Sequence, residues 1–223
     1  MTTTTLSATE LANTVTGFAT IFTGIFTYLF TVLTKPLQPN RWKLAYFTIF
    51  LTGIPTVWYH GFGETYALSL LDTGSNLFVG WAILSALLLD FYSKEKRKLF
   101  YWIITVWNLA GTFVMAYEMM VHHRLFKLLG FFPGELFLVV DALAILIFFF
   151  LNSDRISFHA KPLLKVCAAV FAVGLLLATA EGHKVGWNIL SFHALWHIVG
   201  AFGFITLWLF NFIRFYEMQH SNK

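Results

Sequence analysis

The stretch Ser191–His197 (SFHALWH) opens the last apolar segment of the chain, and it decides how the rest of the sequence is interpreted. On a helix, the four-residue spacing of His193 and His197 places them about 40° apart around the axis and about 6 Å apart along it. Both side chains therefore project from one face and could hold a single ion between them. Two earlier polar residues, His60 and Asp72, lie at the end of one apolar segment and near the start of the next. We therefore predict a metal site built between membrane helices.

The composition is that of a membrane protein. Of the 223 residues, 58% are hydrophobic and only 12% are charged, and the mean hydropathy is +0.70. Long apolar runs in such a composition are typical of transmembrane segments. The net charge of +4 comes from basic residues between those runs, which argues against a nucleic-acid partner. The single cysteine, Cys167, cannot form a disulfide within this sequence, and we expect no cleavable signal peptide in its threonine-rich start.

Seven apolar segments are long enough to cross a bilayer. The connections between them are short, and no polar stretch is long enough for a second domain. We therefore predict one all-α domain over 1–223, an integral membrane bundle of seven transmembrane helices. The predicted spans are about 11–34, 43–61, 68–91, 99–119, 134–152, 162–180 and 188–213.

The basic residues favour one orientation of this bundle. Twelve of the 15 lysines and arginines lie in the odd-numbered connections and the C-terminal tail. The positive-inside rule then places the C-terminus in the cytoplasm and the N-terminus outside or in a lumen. In this orientation Thr56, His60, Asp72, His193 and His197 all fall in the outer leaflet, although they were selected by residue type and spacing. The agreement in depth supports a single site.

The residue types indicate zinc. Three imidazoles with an open fourth position are a ligand set of catalytic zinc sites, and zinc brings the pKa of its bound water to about 7. The Asp72 carboxylate could orient that water and accept its proton. The Thr56 hydroxyl, one turn before His60, could donate to the oxyanion of a tetrahedral intermediate. Ionisable residues are costly to leave in hydrocarbon, so packing alone is the weaker interpretation of this set.

The same residues form a pattern that resembles the alkaline ceramidase family. That family belongs to a superfamily of seven-helix membrane hydrolases that includes the progestin and adiponectin receptors, with Ser-x-x-x-His in the second helix, Asp in the third and His-x-x-x-His in the seventh. Here the pattern is Thr56-x-x-x-His60, Asp72 and His193-x-x-x-His197. The triplet LLD that ends at Asp72 and the run HALWHIVG from His193 resemble the ceramidases in particular. The resemblance implies Zn²⁺ held by His60, His193 and His197, with Asp72 as the carboxylate that activates water.

Two departures from the family pattern affect what we expect. Thr56 stands where the pattern has serine; it keeps a hydroxyl, but its β-branch restricts the rotamer and could alter activity. The run from Glu10 to Thr16 resembles the end of the family's calcium-binding segment, but the acidic stretch expected before it is missing. One Glu and one Asn cannot supply the roughly six to eight oxygens that calcium takes. We therefore interpret Glu10 as a first-turn helix acid and expect no calcium site.

The predicted function is that of a zinc-dependent amidase, which would hydrolyse a ceramide-like membrane lipid to a sphingoid base and a fatty acid. A receptor or another lipid hydrolase of the same superfamily is the alternative, and ester hydrolysis would use the same chemistry. A haem protein with two axial histidines is a third interpretation. The sequence does not separate the plasma membrane from an internal membrane, and it does not predict the oligomeric state.

Other polar residues carry weaker predictions. Asp141, in the fifth segment, should face the bundle interior, where it could pair with Asn108. His122 and His123 are expected in an exposed loop, and Glu64 and Tyr66 could gate the outer mouth of the site.

Overall fold

The computed structural model describes residues 7–34, 38–63, 65–121, 126, 128, 132–180 and 191–220. This part of the chain forms seven α-helices and one short 3₁₀ turn, so the all-α prediction is confirmed. Each helix corresponds to one predicted segment, although residues 188–190 of the last segment lie outside the described residues. The helices are α1 (Ala8–Leu33), α2 (Asn40–Phe62), α3 (Tyr66–Phe91), α4 (Lys94–Met120), α5 (Pro133–Leu151), α6 (Ala160–Thr179) and α7 (Phe192–His220).

Six of the seven helices in the described part of the chain are long and apolar enough to cross a membrane. This finding identifies a multi-pass integral membrane protein. The helix that falls short is α2, which carries Thr48, Thr52, Thr56 and His60 at four-residue intervals. All four are buried, so they form a polar stripe that faces neighbouring helices and lowers the hydropathy of α2. The seven spans and their orientation remain predictions.

Local signals at the helix ends place the site residues. Ser7 caps α1 by accepting a hydrogen bond from the backbone N–H of Glu10, which fixes Glu10 in the first turn. Gly63, with a φ of 105°, ends α2 soon after His60, because its backbone adopts a conformation that side-chain-bearing residues rarely take.

The helices form an up-and-down bundle in which α1 packs against α2 and α7. The chain continues from α2 to α3, which also contacts α4 and α5, while α6 lies between α5 and α7. The α1 and α2 backbones approach closely where Gly24 meets Phe50 and Gly53 meets Ile21. A Cβ atom at Gly24 would lie 2.2 Å from the Phe50 backbone nitrogen. Small residues at this crossing therefore hold α1 against the helix that carries His60.

The apolar core occupies the half of the bundle away from the predicted site. The site end contains the N-termini of α1, α3 and α7 and the C-terminus of α2. The buried core residues come instead from the first half of α2 and α6 and the second half of α3, α5 and α7. They include Trp42, Tyr46, Ile49, Ile83, Leu87, Phe149, Ala160, Cys167, Leu207 and Phe210.

A buried ionic cluster joins three helices in this same apolar half. Asp90, near the end of α3, accepts hydrogen bonds from Arg41 at the start of α2 and from Arg214 near the end of α7. The Trp42 indole N–H also donates to Asp90, at 2.9 Å. The side chains of Asp90 and Arg214 are only 4% and 5% exposed. The cluster therefore ties α2, α3 and α7 together at the end opposite the site.

Candidate metal centre

The structure brings the three predicted histidines together. His60 projects from the last turn of α2, and His193 and His197 project from the first two turns of α7. Their ring centroids are 4.7 Å apart for His60 and His193, 5.5 Å for His60 and His197, and 4.5 Å for His193 and His197. One ring nitrogen of each lies within 4.8 Å of the other two. His60 and His197 are buried, and His193 is partly buried. This cluster could hold a metal ion.

The donor atoms fit a small, nitrogen-preferring ion. The Nε2 atoms of His60 and His193 are 2.9 Å apart. A tetrahedral zinc ion with bonds of about 2.0–2.1 Å would hold its nitrogen ligands about 3.3 Å apart, so a small outward adjustment of these rings accommodates it. Imidazole ligands also suit copper, iron and nickel, so the histidines alone do not fix the metal.

The mutual contact of the rings argues against the haem interpretation. A porphyrin with two axial histidines lies between their rings, and the three rings here are already in contact, with centroids no more than 5.5 Å apart. The described geometry of these residues therefore leaves no room for a porphyrin among them.

Helix α1 supplies polar partners to two of the three rings. The Nδ1 atom of His60 lies 2.7 Å from the Glu10 Oε2 atom, and the Nδ1 atom of His197 lies 3.1 Å from the Thr16 Oγ1 atom. In both histidines the nitrogen turned toward α1 is Nδ1. The Nε2 atoms are therefore the nitrogens left to bind an ion.

The start of α7 is fixed to α1 by another hydrogen bond. The Ser191 hydroxyl donates to the Asn13 side-chain oxygen at 2.7 Å and accepts from the backbone N–H of Ala194 at 2.9 Å. Ser191 thus caps the first turn of α7 and also links that turn to α1. Because His193 is in that first turn, its position depends on α1 as well.

Asp72 and Thr56 form a buried pair beside the cluster. The Thr56 hydroxyl donates to the Asp72 Oδ1 atom at 2.5 Å and also lies 3.1 Å from the Thr52 carbonyl oxygen. Thr56 and Asp72 are 5% and 8% exposed. Because Thr56 is one turn before His60 on α2, the pair lies one turn deeper in the bundle than His60.

Sequence reasoning found the histidines, Thr56 and Asp72 but missed the partners on α1. It assigned Glu10 to the first turn of a helix, which is where it lies, but gave it no contact with His60. The spacing of Glu10, Asn13, Thr16 and Gly17 places polar or small residues on one face of α1, which indicates a packed polar face but not which ring each residue contacts.

Asp141 faces the bundle interior, as predicted, and is 3% exposed. It lies beside Trp107 and Asn108 of α4, and its carboxylate packs directly against Gly80 of α3. Asp141 and these neighbours therefore lie on α3, α4 and α5, whereas the histidine cluster lies on α2 and α7. The predictions for Glu64, His122 and His123 fall outside the described residues.

No protein-family model and no curated protein sequence matches the chain. Its class is accordingly defined by fold and site alone: a multi-pass, all-α membrane protein with three clustered histidines that could bind a metal. Any closer assignment depends on the quoted motif residues and on the geometry that joins them.

Proposed function

We propose that this protein is a zinc-dependent intramembrane hydrolase of the alkaline ceramidase type, which cleaves the amide bond of a ceramide-like lipid. The observation that carries the proposal is the convergence of His60, His193 and His197, with the Thr56–Asp72 pair one helical turn away. Three neutral nitrogen donors and a nearby carboxylate are the composition of a hydrolytic zinc site. The resemblance of the motif to the alkaline ceramidases adds the class of substrate.

His60, His193 and His197 would hold the ion through their Nε2 atoms. A zinc ion there would supply a Lewis acid for the amide carbonyl and a water with a pKa near 7. Glu10 and Thr16 of α1 lie against the outer nitrogens of two of these rings. The packed apolar core fills the opposite half of the bundle and therefore separates the histidine cluster from the other end of the helices.

Asp72 would act as the proton carrier. Its carboxylate would accept a proton from the attacking water and return it to the amide nitrogen, so that the products are a fatty acid and an amine. The Thr56 hydroxyl holds Asp72 through its Oδ1 atom. In the resting structure the Thr56 proton is directed to Asp72 or to the Thr52 carbonyl, so a role as oxyanion donor would require the hydroxyl to rotate.

A membrane lipid is the substrate that the location favours. The histidines lie near the ends of transmembrane helices, where the headgroups and the first atoms of the acyl chains of a lipid are found. The amide of a ceramide-like lipid lies at that depth. The two chains of the lipid would then extend into the bilayer region of the bundle.

The first test is metal content followed by hydrolysis. Detergent-purified wild type should contain about one zinc per chain by elemental mass spectrometry, and His193→Ala should lose most of it because one of three ligands is gone. His159→Ala is the matched control, since that side chain is 76% exposed and pairs with Glu217. Wild type, but not His193→Ala, should release free fatty acid from ceramide.

The outcomes separate the alternatives. If the protein binds zinc but hydrolyses neither ceramides nor ester lipids, the receptor interpretation is favoured. If it hydrolyses ester lipids but not ceramides, the proposed substrate becomes an ester instead of an amide. Wild-type protein without zinc, even after zinc is supplied, would contradict the proposal and leave the histidines as packing residues.

A further inference from the structure

We infer that α1 positions the metal ligands: Glu10 and Thr16 fix the ring orientation and the tautomer of His60 and His197. This inference rests on the proposed metal site and deepens it. It assigns a role to α1, which contributes no ligand of its own to the cluster.

Glu10 is placed to accept a hydrogen bond from the imidazole of His60. The 2.7 Å distance joins a carboxylate oxygen, which can only accept when ionised, to the Nδ1 atom of His60. His60 therefore carries its proton on Nδ1, and its Nε2 lone pair points toward His193. A carboxylate on the outer nitrogen of a metal-binding histidine raises the basicity of the ligand and locks its ring.

Thr16 imposes the same tautomer on His197 by a different route. Its hydroxyl lies 2.8 Å from the Ala12 carbonyl oxygen and 3.1 Å from the Asn13 carbonyl oxygen, and both are acceptors. The single hydroxyl proton is therefore directed to the backbone of α1. The Thr16 oxygen can then accept from the His197 Nδ1–H at 3.1 Å, which leaves the His197 Nε2 atom for the metal.

A general helix-stabilising role does not account for these contacts. A first-turn acid stabilises a helix when it is solvated, as the exposed Glu95 in the first turn of α4 illustrates. Glu10 instead bonds to a buried ring 50 residues away, and Thr16 bonds to one 181 residues away. Both bonds reach the nitrogen that does not face the cluster, which is what a ligand-orienting partner requires.

The test is the zinc affinity of the full chain in detergent, measured by competition with a chromophoric chelator. Glu10→Ala should weaken zinc binding about 10- to 100-fold, and Glu10→Gln less, because the amide oxygen can still accept from Nδ1. Thr16→Val should also weaken binding, whereas Thr16→Ser, which keeps the hydroxyl, should restore most of the affinity.

Matched controls separate positioning from helix stability. Glu95→Ala removes a first-turn acid elsewhere, and Thr27→Val removes a buried α1 hydroxyl that donates to the Thr23 and Gly24 carbonyls. Both should leave the zinc affinity unchanged. The Tm of the metal-free protein should fall no further in Thr16→Val than in Thr27→Val.

The result that would overturn the inference is a zinc affinity equal to wild type in both Glu10→Ala and Thr16→Val. Equal weakening by Thr16→Ser and Thr16→Val would also overturn the role of the Thr16 hydroxyl. These outcomes are distinct from failure of the proposed function, in which the wild type itself would bind no zinc.

Discussion

The threonine in place of the expected serine is accommodated by the neighbouring helix. The hydroxyl of Thr56 bonds to Asp72, and its extra methyl group points to α1, where a Cβ atom on Gly17 would lie 3.2 Å from it. Gly17 thus leaves the space that the β-branch fills. At the level of this residue, the difference from the alkaline ceramidase pattern that the motif resembles leaves the hydroxyl in contact with the carboxylate.

Thr56→Val should therefore lower the rate of lipid hydrolysis by about tenfold or more while zinc stays bound, because Asp72 loses the donor that orients it. Thr56→Ser should retain activity, and Asp72→Asn should lose about 10²- to 10⁴-fold with zinc retained. Rates of fatty-acid release and zinc content of the same preparations provide the measurement. An undiminished rate in Asp72→Asn would remove that carboxylate from the proton-carrying role.

Helices α2 and α7 are joined through side chains at both of their ends. At one end His60 of α2 meets His193 of α7, and at the other Asp90 of α3 binds Arg41 of α2 and Arg214 of α7. The Arg214 guanidinium is also surrounded by aromatic rings, with centroids 4.4–5.9 Å away. These elements are thus held at a fixed separation independently of any metal.

Asp90→Asn should destabilise the protein by about 3–5 kcal/mol, because it leaves the buried Arg214 without its carboxylate. The change should appear as a lower Tm in detergent, with Glu95→Gln, at an exposed position, as the control. Zinc stoichiometry at low temperature should be unchanged, since the cluster lies at the other end. A Tm equal to that of the wild type would show that Asp90 is not needed to balance the buried charge of Arg214.

The elements were predictable from the sequence, but the contacts between them were only partly so. Hydropathy located each helix, and the four-residue spacing of His193 and His197 put them on one face. The pairing of Glu10 with His60 was not predictable, because it depends on the rotation of α1 and on its close approach to α2 at Gly24. Asp90 was missed for the same reason: its arginine partners are 49 and 124 residues away.

The whole molecule is divided into an apolar half and a half that contains the polar site. Large buried side chains fill the first, whereas many buried residues of the second are small or polar, such as Gly17, Thr20, Thr56 and Ala194. Under the predicted orientation the apolar half faces the cytoplasm. The proposed hydrolase would then act on lipids of the outer or luminal leaflet.

That orientation can be measured at the two ends of α4. Lys96 and Met120 are exposed near its N- and C-termini, and Cys167, fully buried, should not react. In intact cells or sealed vesicles of native orientation, a membrane-impermeant thiol reagent should label Met120→Cys but not Lys96→Cys. Permeabilisation should expose the latter. The reverse labelling would invert the bundle and place the site on the cytoplasmic side.

The histidine cluster joins residues that are far apart in sequence, since its ligands and their α1 partners are separated by 50, 133 and 181 residues. During synthesis α1 leaves the ribosome before α2, and α7 follows both. A nascent chain that stops before His193 therefore carries one ligand and cannot assemble the cluster. If the cluster binds a metal, uptake therefore has to follow the synthesis and insertion of α7, and bound metal would report that α1, α2 and α7 have come together.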